Sequence, residues 1–138
     1  MTTPAALAAL HRRAYSRLRP WSEADFAGLL QSPHVFLVAL PQAFALGRAV
    51  ADEAELLTIA TDPDHRRQGL ARTCLLEFEA AARTRGATRA LLEVDSENPA
   101  AIALYTSAGY ERIAIRHAYY ALRDGTRADA LIMAKPLG

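Results

Sequence analysis

Asp62-Pro63-Asp64-His65-Arg66-Arg67-Gln68-Gly69-Leu70-Ala71-Arg72 stands between an apolar, strand-like segment and an amphipathic helix. An α-helix starts with N–H groups that have no intrahelical partner, and its dipole places partial positive charge there. Most helices satisfy those amides with a Ser, Thr, Asp or Asn cap and add acidic residues in the first turn. Here Arg66, Arg67, Gln68 and Gly69 occupy the entrance, and no acidic residue follows until Glu77. Gly69 removes a side chain where the backbone is approached closely, and Ala71 keeps the next turn small. The pattern predicts an anion site, for a phosphate or pyrophosphate. An ordinary helix start with solvated arginines, capped by Asp64, fits the same residues. The run lacks the Gly-Lys-Ser/Thr ending of a Walker loop and is not the G-x-G-x-x-G dinucleotide fingerprint.

Working outward, Glu55 to Thr61 reads as a strand apolar enough to be central. The helix from about Gln68 to Arg85 carries Leu70, Cys74, Leu75, Phe78, Ala81 and Ala82 on one stripe. Arg83 and Arg85 suit its C-terminal dipole, and Gly86 suits the position after it. Thr88 to Val94 is the next strand. Asn98 or Ser96 then opens a helix with Pro99 near its first position, ending near Gly109. Tyr110 to Tyr119 and Ala130 to Lys135 are the last strands, separated by the polar turn Arg123-Asp124-Gly125-Thr126. Upstream, Ala5 to Tyr15 is a short helix, and Ser22 with Asp25 caps a second one whose apolar side is Phe26, Leu29 and Leu30. Val35 to Leu40 and Phe44 to Val50 form an antiparallel hairpin about Pro41-Gln42. The sum is a mixed α/β sheet in which one strand–helix–strand unit holds the anion site.

Size and composition bound the function. The 138 residues suit one domain, 1–138, with a single core. Hydrophobic residues make up 51% and charged residues 22%, so the chain is globular rather than disordered. A net charge of +1 implies no strong field for nucleic acid or membrane. No window resembles a signal peptide or a membrane span, so a soluble cytoplasmic protein, monomeric by default, is expected. Lys135 is the only lysine, which reads as compositional bias. Cys74 is the only cysteine and excludes an intrachain disulfide; on the apolar stripe it reads as a buried, inert thiol. No histidine pair has metal-ligand spacing, so no metal is expected. His11 reads as helix surface, His34 as a loop or strand end, His65 as solvated beside the anion site, and His117 as the one histidine near substrate.

Three residues outside the anion run carry candidate chemistry. Glu93 falls inside the apolar strand Ala90-Leu91-Leu92-Glu93-Val94, where a carboxylate is costly unless it is hydrogen-bonded or reaches a cleft. It reads either as a general base, acting directly or through a water, or as a solvent-facing glutamate paired with an arginine. Asn98 and Tyr105 lie two turns apart on one helix face, with Ala101 leaving that face open. The face receives a ligand arm, or else Asn98 is merely an N-cap and Tyr105 a core tyrosine.

Taken together, these segments resemble a known family. Arg66-x-x-Gly69-x-Ala71 matches the pyrophosphate-binding signature of the Gcn5-related N-acetyltransferases. Leu91-Leu92-Glu93-Val94 and Asn98-x-x-Ala101-Ile102-x-Leu104-Tyr105-x-x-x-Gly109-Tyr110 resemble the second half of that signature. With Ile59-Ala60-Thr61-Asp62-Pro63, Pro20-Trp21-Ser22, Tyr119-Tyr120, Asp124-Gly125 and Asp129 to Met133, the chain is similar to the RimI-type ribosomal-protein-alanine N-acetyltransferases over roughly Pro20 to Pro136. The resemblance implies the acyl-CoA N-acyltransferase fold, a mixed and mostly antiparallel central sheet flanked by helices. The family's usual first strand is shortened or missing here, which would expose a sheet edge.

The resemblance also implies roles. Backbone groups of Ile59, Ala60 and Thr61 would hold the pantetheine arm of acetyl-CoA and polarise its thioester carbonyl. Amides from Arg67, Gln68, Gly69, Leu70, Ala71 and Arg72, beside Arg66, would hold the pyrophosphate, and Asn98 would contact the pantetheine arm. Glu93 matches the family's general base and Tyr105 its general acid. Trp21, Tyr119 and Tyr120 match the region that faces the peptide. The implied reaction is acetyl transfer to a protein N-terminus, such as that of a small-subunit ribosomal protein, without a covalent enzyme intermediate. The alternatives are acetylation of a lysine side chain or a small-molecule amine, or a catalytically silent CoA-binding regulatory module. Arg116-His117-Ala118 stands where the family more often shows Arg-Asn, a departure beside the peptide-facing tyrosines.

Overall fold

Alternating burial along three consecutive strands sets the plan. β1 (Val35–Leu40), β2 (Ala43–Val50) and β3 (Glu53–Thr61) form an antiparallel meander in a computed structural model that describes residues 3–15 and 17–138. β3 buries every second residue, the period-2 signature of a strand that faces two different layers. The chain then crosses through α3 (Leu70–Thr84) into β4 (Arg89–Asp95), which lies parallel to β3. β5 (Glu111–Ala121) and β6 (Arg127–Pro136) close the sheet in the order β1-β2-β3-β4-β6-β5. Only the β3–β4 pair is parallel, as a helical crossover requires. α1 (Pro4–Ala14), α2 (Glu23–Leu30) and α4 (Pro99–Ser107) complete the described elements. Among the described residues no strand pairs with the outer edge of β1.

Two apolar layers cover the sheet. On one side, Leu7, Leu10 and Phe26 from α1 and α2 pack on Phe44, Leu46 and Ala60. On the other, Cys74, Leu75, Phe78 and Ala82 of α3 pack on Phe36, Ala45, Leu92 and Met133. Gly47 sits where β2 is bulged, and a Cβ there would meet the Phe36 and Phe78 rings at 2.6–2.7 Å. Those two rings stack with centroids 5.8 Å apart, so the glycine lets an aromatic pair lie flat against the strand.

The sequence reading of α2 holds in detail. Ser22 Oγ accepts from the Asp25 N–H, and the Asp25 carboxylate accepts from the Ser22 N–H. α3 starts two residues later than its periodicity suggested, at Leu70, because Arg67 and Gly69 take positive φ angles of 65° and 75°. Cys74 is fully buried, and burial pushes its thiol up to about 11. Glu79 on the same helix was not singled out by the pattern. It is 1% exposed, accepting from the Tyr110 hydroxyl at 2.9 Å and from Lys135 Nζ at 2.8 Å, the pairing that a buried carboxylate requires.

Candidate active site

The parallel pair comes apart. β3 and β4 are in register only from Glu53↔Arg89 to Leu56↔Leu92, yet β3 runs on to Thr61 and β4 to Asp95. β4 stays paired with β6 through Asp95, so the backbone of β3 beyond Leu56 loses its partner on one side. A cleft of about 590 Å³ opens at this splay. Unpaired strand backbone in a cleft is a template for an extended, amide-bearing ligand.

Residues that the sequence reading kept apart meet here. Glu93 enters the cleft from β4, Asn98, Ala101 and Tyr105 from α4, Ile59 from β3, Trp21 from the segment before α2, and Tyr119 and Tyr120 from β5. The Asn98 side chain accepts from the Ala101 N–H at 3.1 Å as the α4 cap, and the residue lines the cleft. Tyr105 is 5% exposed, packed edge-on to Tyr110, and burial raises its hydroxyl well above the usual tyrosine range. It is therefore protonated at neutral pH and can act as a donor. Glu93 accepts from Arg116 Nη1 at 3.2 Å, and that guanidinium lies 4.1 Å over the Tyr119 ring. Burial first, and then the Glu93 carboxylate, raise both Tyr119 and Tyr120.

Ala60, Thr61 and the 66–72 segment lie outside the lining of this cleft. Ala60 and Thr61 end the splayed part of β3, and a 3-10 turn (Pro63–His65) leads from there through the 66–69 loop into α3. Asp64 does not cap α3, which corrects the ordinary-helix reading. Gly69 holds the cap position, no side chain bonds the first amides, and no acidic residue stands in the first turn. A Cβ at Gly69 would meet nothing within 4 Å, so the left-handed φ is what calls for glycine there. Asp62 and Asp64 are engaged by Arg13 at 3.0–3.1 Å, and the Arg66 guanidinium reaches the Ala14 carbonyl. These contacts brace the loop against α1, and the amides of the first α3 turn have no side-chain partner.

One histidine is corrected. His11 is not helix surface: it is 3% exposed beneath Trp21, with ring centroids 5.3 Å apart. His117, expected near substrate, lies outside the cleft lining, and its side chain is 80% exposed beside Asp129. Tyr15, Thr58 and Arg116 also belong to the cleft or its support, and the sequence reading did not single them out as site residues. The signal for His11 was its place among Leu7, Leu10 and Ala14 on the buried side of α1.

Comparisons with known proteins show the family and the fold. Residues 5–110 match the family model described as the acetyltransferase (GNAT) family. The chain is 43% identical over 135 residues to [ribosomal protein bS18]-alanine N-acetyltransferase of Escherichia coli K12, covering 94% of this chain and 90% of that relative. N-alpha-acetyltransferase RimI of Mycobacterium tuberculosis is 36% identical over 86% of this chain and 77% of its own length. The crystal structure of the Escherichia coli ribosomal-protein-S18-alanine N-acetyltransferase superposes with a TM-score of 0.87 at 40% identity, over 100% of this chain and 90% of that one.

Proposed function

Because this chain belongs to the GNAT family of acetyl-CoA-dependent N-acetyltransferases, we propose that its acceptor is the N-terminal α-amine of a protein, with an alanine of a ribosomal protein as the first choice. Domain 1–138 would carry the whole reaction, as a monomer in the cytoplasm. The observation that supports this most is that Glu93 from β4 and Tyr105 from α4 enter one cleft.

Acetyl-CoA supplies the thioester whose acetyl group the amine takes. The amides of Ile59 to Thr61, the first turn of α3 with Arg66 to Arg72, and Asn98 are the groups suited to hold it. An α-amine has a pKa of about 8, so roughly a tenth is free base at neutral pH. A single carboxylate is then sufficient to take the remaining proton; of the three carboxylates that line the cleft, Asp25, Glu55 and Glu93, Glu93 is the one that matches the family's general base. Tyr105, buried and protonated, donates to the departing thiolate. Trp21, Tyr119 and Tyr120 form the wall that meets the peptide, and Arg116 holds Glu93 in place from the same side.

CoA release by the purified protein tests the assignment. The acceptors are peptides differing in their first residue, the same peptides with a blocked N-terminus and a free lysine, and polyamines. Turnover confined to free N-termini, with alanine leading, is the expected result. Turnover on the blocked peptides or on polyamines would remove the N-terminal assignment and keep the cofactor site.

A further inference from the structure

The wall of the cleft nearest α1 contains a buried polar chain that the acyl transfer itself does not use. The Trp21 backbone N–H donates to His11 Nδ1 at 3.1 Å. His11 Nε2 lies 3.1 Å from Thr58 Oγ1, Thr58 Oγ1 lies 3.4 Å from the Tyr15 hydroxyl, and that hydroxyl donates to the Ile59 carbonyl at 2.5 Å. The two ends fix the direction of every link. A backbone N–H can only donate and a backbone carbonyl can only accept, so Nδ1 is the acceptor and Nε2 carries the proton. Thr58 then accepts from His11 and donates to Tyr15.

We propose that His11 is a positioning residue, which holds the peptide-facing wall at Trp21 in register with the splayed strand β3 through this one-way hydrogen-bond chain. The inference rests on the reading of the cleft as an acetyl-transfer site with Trp21 on its acceptor side. Three further observations carry it. His11 and Thr58 are 3% and 8% exposed, so neither can substitute water for its partner. The ring is held edge and face by Tyr15, Trp21 and Phe26, with centroids 4.5–5.6 Å away, so its orientation is set by packing. The chain ends on the carbonyl of Ile59, the last β3 residue that lines the cleft.

The chain also forbids a charged imidazole. A proton on Nδ1 would point at the Trp21 N–H, donor against donor. The charged groups facing the ring are Arg123 of the β5–β6 turn, which disfavours the proton, and Asp25 of α2, which favours it; Tyr15 from the end of α1 is neutral. Burial outweighs them all and lowers His11 to about 4.

The test compares His11→Phe, which keeps an aromatic ring and loses both bonds, with His11→Gln, whose amide can both donate and accept. The expected result for the Phe variant is an acceptor-peptide KM raised about tenfold, the size of one lost hydrogen bond. Its kcat and acetyl-CoA KM should stay within about threefold of the parent, and Gln should recover part of the loss. An unchanged peptide KM in a folded Phe variant overturns the proposal, as does a uniform shift of kcat and both KM values. If the Phe variant does not fold, the Gln variant decides alone: a selective rise in peptide KM smaller than tenfold supports the chain, and a uniform shift overturns it. A separate reading needs no turnover and stays valid if the acceptor assignment fails. Trp21 is the only tryptophan, and a protonated imidazole stacked on it quenches its emission. Emission should be flat from pH 8 to pH 5; a quenching step centred near 6.5, the ordinary histidine value, overturns the chain.

Discussion

The two walls of the cleft are built from different material. The wall formed by β3 and the start of α4 offers mostly backbone: an unpaired strand edge beyond Leu56 and the α4 start at Asn98, continued outside the cleft lining by the uncapped helix start at Gly69. The opposite wall, from α1, the segment through Trp21 and β5, is made of side chains that meet across long stretches of sequence. Tyr15 reaches Ile59, Arg116 reaches Glu93, and Arg123 bonds the carbonyls of Arg12, Tyr15 and Leu18. Backbone groups read a ligand that hardly varies, whereas side chains are the part of a site that substitution can retune. The backbone wall therefore suits a constant cosubstrate, and the side-chain wall a particular acceptor.

Glu93 and Tyr105 sit where the walls meet, so their loss should be the largest effect. Glu93→Gln and Tyr105→Phe are each expected to lower kcat by about 10²- to 10³-fold, with modest changes in either KM. Steady-state kinetics on the best N-terminal peptide checks this; a change of less than threefold in both variants would move the chemistry to other residues.

The side-chain wall should also dominate acid sensitivity. His11 is near 4 when folded and near 6.5 when unfolded, so the unfolded chain binds the extra proton in that interval. Its contribution is complete above about pH 6.5 and is lost as pH falls toward 4. Between pH 7 and 5 the folded state should lose about 2 kcal/mol through this residue alone. Urea unfolding at the two pH values gives the slope, and His11→Gln should flatten it; equal slopes in parent and variant would assign the acid sensitivity elsewhere.

A smaller effect separates the walls cleanly. Gly69→Asp places a carboxylate and a Cβ at a left-handed position in front of the open amides of α3. Acetyl-CoA KM should rise about tenfold or more while peptide KM holds, since a charge at a helix start is worth about 1 kcal/mol and the strained φ adds to it. Equal movement of both constants would mean that the walls are coupled rather than independent.

The smallest effect lies on β5. Ala118 takes a φ of 51° at a bulge, its N–H held by Asp129 at 2.9 Å. Asparagine tolerates that conformation better than alanine, so Ala118→Asn should add about 0.5–1 kcal/mol, a rise of a few degrees in Tm. A lower Tm would show that the strain is relieved in another way.

The same division explains what could be read in advance. β1 was legible to its end residues, and the α2 capping box to its atoms, because both are fixed by local patterning. The placement of the 66–72 loop before α3, and of Glu93 on β4, Asn98 at the α4 cap and Tyr105 on α4, was legible because their spacing is short and their resemblance to a family is dense. His11 was misread because α1 is moderately amphipathic and a histidine suits either of its faces; only Thr58 and Trp21, far off in sequence, decide which. Glu79 escaped notice for a related reason. A glutamate in a helix stripe looks like solvent surface until Tyr110, just before β5, and Lys135 of β6 arrive.

That last pairing has a practical side for anyone assaying the protein by mass spectrometry. Thioesters acylate free lysine amines without a catalyst, and most enzymes accumulate such adducts during long incubations. This chain has one lysine, and its ammonium is spent on a carboxylate that is 1% exposed. Acetyl-lysine recovered from a reaction mixture would therefore trace to the acceptor, so the catalyst supplies its own blank.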